Sequence, residues 1–142
     1  MATDDLLFKM LIRAYAHLRR DPEQIPDGNE LMTLKTRGFG SILDVLIRND
    51  GMTQADIALM LDMRQQSVSE ALVKLENYGF IRREQSNENR RKALIYLTEE
   101  GRVMQKELKA RRDRMAESYF SCLSDREKDA LYLILKKLSE HN

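Results

Sequence analysis

The chain has 142 residues, 33% of them charged and 42% hydrophobic, with 24 Lys and Arg against 23 Asp and Glu. That length suits one domain with a buried core, and the balance is that of a soluble globular protein. No apolar run approaches the roughly 18 residues of a membrane span, acidic Thr3-Asp4-Asp5 stands where a secretory signal would be basic, and the single cysteine excludes a disulfide framework or a cysteine-rich zinc site. A cytoplasmic protein is the expectation.

In chain order, Leu6, Leu7, Met10, Leu11, Ala14, Tyr15 and Leu18 recur at helical spacing and predict a first helix over about Thr3 to Arg20. Phe8 and Ile12 add apolar surface on another side, more than one core covers, so a partner subunit is the natural recipient. Pro22, Pro26 and Gly28 then break the chain. Phe39, Ile42, Leu43, Leu46 and Ile47 mark a second helix, whose start Gly38 and Gly40 weaken at about 1 kcal/mol each relative to alanine. Asn49-Asp50-Gly51 is a turn. Thr53, with Asp56 three residues on, caps a third helix whose expected inner face is Ile57, Met60 and Leu61.

The fourth helix runs from Gln65 to Tyr78, with Val68, Leu72 and Leu75 inward and Gln65, Gln66, Ser69 and Lys74 outward. Gly79 fits a left-handed cap, with Phe80 packing back on the helix. A strand-like Phe80–Arg83, a polar tip Glu84–Asn89, a basic cluster Arg90-Arg91-Lys92 and a second strand Ala93–Leu97 follow. A helix-turn-helix followed by a two-stranded ribbon with cations at its tip is the plan of a winged helix. Thr98 caps a fifth helix, where Glu99 and Glu100 suit the positive N-terminus. Met104, Leu108, Met115 and Tyr119 give that helix a sparse apolar stripe among many charges. Ser124 with Glu127 is a capping box opening a sixth, whose apolar face is Leu131, Ile134, Leu135 and Leu138. The fold class is mainly α with a small β-wing.

Net charge is only +1, so any DNA binding must come from local charge. From Arg64 to Lys92 seven cations oppose four anions, 7 − 4 = +3, and Arg82–Lys92 alone gives 5 − 2 = +3. Gln65, Gln66 and Ser69 sit near the N-terminal end of the fourth helix, where base edges are usually reached, and Gln pairs well with adenine. Ser67 and Lys74 share that helix. Arg64, Arg82, Arg90, Arg91 and Lys92 are candidates for phosphates or the minor groove, contacts that give affinity without sequence information. Arg83 is placed to brace the wing against Glu84 or Glu99. The bland alternative is that short basic runs and polar helix faces are solvated surface.

Several segments together resemble the multiple-antibiotic-resistance regulator (MarR) family of bacterial winged-helix repressors. They are Met52-Thr53-Gln54-Ala55-Asp56-Ile57-Ala58, Ser67-Val68-Ser69, Leu75-Glu76-Asn77-Tyr78-Gly79-Phe80-Ile81-Arg82-Arg83, Asn89-Arg90-Arg91 and Leu97-Thr98-Glu99-Glu100-Gly101. The resemblance implies a single domain over 1–142. Residues 1–34 and 99–142 would supply intertwined dimerisation helices, and 35–98 the winged helix-turn-helix. It implies a homodimer on a pseudo-palindromic double-stranded operator, repressing transcription until a small-molecule effector or oxidation relieves it. Arg91 fills the family's wing-arginine position. Two residues depart from the pattern. Asn89 stands where the family usually has an aspartate that orients that arginine, and Glu70 where a basic residue is commonest. Glu70 can accept from a cytosine amino group or pair with Lys74 four residues on.

Cys122, between Phe120 and Leu123, reads as a small buried hydrophobe. His17 and His141 are too far apart to suggest a metal set and read as structural or surface residues. No catalytic constellation, phosphate-binding glycine loop or cofactor motif is apparent. By family analogy Arg13, Tyr15, His17, Phe39 and Leu43 could line an effector pocket; ordinary core packing is the simpler account of them. The alternative function is a winged-helix module for protein–protein contact, without DNA binding.

Overall fold

The computed structural model describes residues 1–18 and 39–141. Six helices and one two-stranded sheet occur among them: α1 (Asp4–Leu18), α2 (Phe39–Arg48), α3 (Gln54–Leu61), α4 (Gln65–Asn77), β1 (Ile81–Gln85), β2 (Ala93–Leu97), α5 (Glu99–Tyr119) and α6 (Asp125–His141). The expected break at Pro22, Pro26 and Gly28, the contribution of Gly38 and the domain boundary at 34/35 lie outside the described residues. The chain forms two compact units, residues 1–109 and 110–142. The division falls inside α5, whose Met104 and Leu108 pack on the winged-helix core.

That core is built from Phe39, Ile42, Leu43 and Leu46 of α2, Ile57 and Ala58 of α3, Val68, Ala71, Leu72 and Leu75 of α4, and Ile81, Ile95 and Leu97 of the ribbon. The spacing on α4 is that of one apolar stripe on a 3.6-residue helix, so the opposite face is left to solvent. On α3 the expected inner face is corrected. Ile57 is buried, but Met60 is 59% exposed and Ala58 takes the inward place. Thr53 Oγ1 accepts from the Asp56 N–H at 3.1 Å, as its capping position requires.

Helix α4 stops where Gly79 turns to φ +80°. The Gly79 N–H reaches Glu76 O at 2.9 Å and the Phe80 N–H reaches Leu75 O at 2.9 Å, satisfying carbonyls the helix end would orphan. Because the Phe80 N–H serves this cap, β1 begins one residue later than expected. It also runs on through Glu84 and Gln85, which pair with Leu94 and Ala93. The tip is thereby confined to Ser86–Lys92. The antiparallel register sets Ile81 against Leu97 and Arg82 against Tyr96.

Polar ties fix the ribbon and α5 to α2 and to the turn that follows it. Asp50 Oδ1 accepts from the Leu97 N–H at 3.0 Å, while its Oδ2 pairs with Arg102 at 2.8 Å. Gln105, 6% exposed, donates from Nε2 to Asp44 Oδ1 at 3.0 Å. In the second unit, Ser124 and Glu127 form the reciprocal capping box. Cys122 corrects its expectation: it is exposed, in the turn joining α5 to α6. A turn residue follows no burial period, so its apolar neighbours say little about where it points.

Helices α1 and α6 each contain no buried residue. On α1, Leu6, Leu7, Phe8, Met10, Leu11, Ile12 and Tyr15 are 48–65% exposed. On α6, Tyr132, Leu133, Ile134, Leu135 and Leu138 are 42–64% exposed. Contiguous apolar surface on that scale marks an interaction face.

Candidate nucleic-acid interface

The outer face of α4 carries Gln65, Gln66, Ser67, Glu70, Val73 and Lys74, all exposed, with Ser69 half-buried at its flank. This face exists because Val68, Ala71, Leu72 and Leu75 take every inward position. The start of the helix is fixed from α3: Gln54 Nε2 donates to Gln65 O at 3.2 Å. Arg64 is the N-cap residue; its guanidinium only donates and cannot cap the N–H groups there, and the side chain is exposed. Glu70 Oε1 accepts from Gln66 Nε2, one turn earlier, at 3.4 Å.

The wing tip is ordered by its own short side chains. Ser86 Oγ accepts from the N–H groups of Glu88 and Asn89 at 3.3 and 3.4 Å. Asn89 Oδ1 accepts from the Arg91 N–H at 3.0 Å, an Asx turn. The Lys92 N–H reaches Asn89 O at 3.0 Å, and the Ser86 N–H reaches Lys92 O at 2.9 Å. Asn89 therefore positions Arg91 through its backbone. Charge is not needed for that bond, since an amide oxygen accepts as a carboxylate oxygen does. Arg90, Arg91 and Lys92 are exposed on this loop.

The two strand arginines are engaged within the protein. Arg82 pairs with Glu84 and lies over the Tyr96 ring, 4.5 Å from its centroid, a cation–π contact between register partners. Arg83 corrects both expected partners: its Nε lies 3.5 Å from Glu76 Oε2 of α4. That pair ties the wing to the helix it flanks. The roles of Ser86, Gln54 and Glu76 are not legible in the sequence, because each acts through a partner that periodicity does not single out.

The MarR family model matches residues 36–93. Over 104 residues, 73% of each chain, this protein is 32% identical to the uncharacterized HTH-type transcriptional regulator YwhA of Bacillus subtilis (strain 168). The chain belongs to the MarR family. Among solved structures it is similar to S. aureus MepR in a DNA complex, with a TM-score of 0.74 and 25% identity over 99% of this chain and 98% of that one. It is also similar to Bordetella bronchiseptica BpsR, whose DNA binding is regulated by 6-hydroxynicotinic acid, with a TM-score of 0.75 and 25% identity over 94% and 98%.

The residues singled out for a MarR-type effector pocket do not form one lining within the single chain. Phe39 and Leu43 are 2% and 0% exposed inside the winged-helix core. Arg13, Tyr15 and His17 are exposed on α1. Among the described residues no group of His, Cys, Asp and Glu is arranged to hold a metal ion, and no helix is long and apolar enough to cross a membrane.

Proposed function

We propose that this MarR-family protein is a cytoplasmic, homodimeric transcription regulator without enzymatic activity. It binds a pseudo-palindromic double-stranded operator and represses until a small molecule releases it. The observation that carries the DNA role is the pairing, on one winged unit, of a polar outward face on α4 with an ordered tip presenting Arg90, Arg91 and Lys92. Similarity to MepR, solved with DNA, and to BpsR, regulated by a small molecule, supports it. Gln65, Gln66, Ser67 and Ser69 face base edges. Arg64, Lys74, Arg90, Arg91 and Lys92 meet phosphates, and Arg82 with Asn89 shapes the wing. The effector contacts Arg13, Tyr15 or His17 where the second subunit closes over α1.

Removing a base-reading side chain leaves its partner base edge without its hydrogen bonds. Gln65→Ala and Ser69→Ala are each expected to weaken operator binding by roughly 1–3 kcal/mol while leaving random duplex binding nearly unchanged. Fluorescence anisotropy on both duplexes checks this; an equal loss on the two would move these residues to the phosphates.

The dimer follows from the exposed apolar faces of α1 and α6. Sedimentation equilibrium at micromolar concentration is expected to give twice the 16.6 kDa chain mass. A mass of one chain would contradict the proposal. Deleting residues 1–20 is expected to yield aggregated protein, since the surfaces that α1 covers in the dimer would then be bare.

A further inference from the structure

The outward face of α4 places a carboxylate where it would enter the groove, and its surroundings on the helix prepare it to read a base. Glu70 is exposed, in the second turn of the helix, on the side opposite Leu75. It is not left to rotate freely, because Gln66 Nε2 donates to its Oε1 at 3.4 Å. In the major groove a carboxylate only accepts, and phosphates on both sides repel it. It is tolerated there only opposite a donor. Cytosine offers its N4 amino group beside a non-polar C5–H. Adenine offers its N6 amino group beside the N7 lone pair, which repels the second carboxylate oxygen. Guanine and thymine present acceptors at the corresponding edge positions.

Building on the DNA-binding reading above, we propose that Glu70, oriented by Gln66, is a specificity-determining residue that selects cytosine in each operator half-site. Gln66 keeps its amide oxygen to accept from a neighbouring base amino group, so the two side chains read adjacent positions as a unit. Most of the carboxylate's effect is exclusion: it bars guanine and thymine at that position and disfavours non-specific DNA as a whole.

The test is selection of bound sequences from a random duplex pool by the full-length protein, by Glu70→Ala and by Glu70→Gln, followed by anisotropy titration on the selected sites. The wild type is expected to select a half-site with one invariant cytosine. Glu70→Ala is expected to lose the preference at that position and to weaken it at the adjacent one that Gln66 reads, with the operator-to-random affinity ratio falling about tenfold as random-duplex binding tightens. Glu70→Gln is expected to move the preference there to adenine, which a glutamine amide matches through N6 and N7. If both variants select the wild-type sequence, Glu70 reads no base and supports only the helix surface; that result overturns the inference and leaves DNA binding intact. If the wild type itself enriches no sequence, the inference falls together with the DNA-binding reading.

Discussion

Replacing Gly101 with alanine is expected to destabilise the protein by about 3 kcal/mol, near the upper end of overpacking costs. Gly101 is buried in the first turns of α5. A Cβ there would fall on the Phe80 carbonyl oxygen, far inside van der Waals contact, and 2.9 Å from its carbonyl carbon. That carbonyl cannot simply turn away, because it accepts from the Thr98 N–H at 3.1 Å. The Thr98 hydroxyl in turn donates to Gly79 O at 2.6 Å and accepts from the Gly101 N–H at 3.0 Å. One methyl group would therefore push apart the end of α4, the start of β1 and the start of α5. Gly79 provides the comparison. Its φ is +80° but nothing lies within 4 Å of a Cβ there, so Gly79→Ala costs only left-handed backbone strain, about 1 kcal/mol. Thermal melts are expected to lower Tm by about 10 °C for Gly101→Ala and clearly less for Gly79→Ala. Equal shifts would show that the helix start yields more easily than its hydrogen bonds imply.

Neutralising the wing tip is expected to produce the largest loss of DNA affinity. Each phosphate contact contributes a slope of about −0.9 in log K against log salt. A dimer carries two wings, so Arg91→Ala removes two contacts and is expected to reduce the slope by about 2. Converting Arg90, Arg91 and Lys92 together to alanine is expected to reduce it by up to about 5, with at least a hundredfold loss at 0.1 M salt on operator and random duplex alike. The backbone frame of Ser86 and Asn89 does not involve these side chains, so the tip keeps its shape. Titrations from 0.05 to 0.3 M salt on the two duplexes check it. A wing variant that lost operator preference while keeping its salt slope would place these cations on base edges instead.

Much of this arrangement is legible in the sequence. Helix α4 has 13 residues, more than three turns, long enough to separate Val68, Leu72 and Leu75 from Gln66 and Glu70 without ambiguity. Gly79 followed by Phe80, and Ser124 with Glu127, are local devices whose chemistry reads directly from residue type and spacing. Helix α3 is different: its eight residues make just over two turns, too few to fix the phase, and Met60 and Ala58 exchanged places. The pairing of Arg83 with Glu76, and of Asp44 with Gln105 across 61 positions, depends on tertiary placement that no local pattern encodes. Phe39 and Leu43 were legible as apolar helix residues. Whether such residues fill a core or line a pocket is set by what packs over them, and here the core takes them.

The most direct test of a dimeric, sequence-reading regulator is footprinting of a genomic fragment that the protein retains. Two recognition helices related by a two-fold axis can both enter major grooves on one face of the duplex only when their half-sites lie about 10 base pairs apart, or a multiple of that. The expected result is a protected region of about 20 base pairs with two matching, inverted halves. Protection of one unpaired half-site at saturating protein would contradict it.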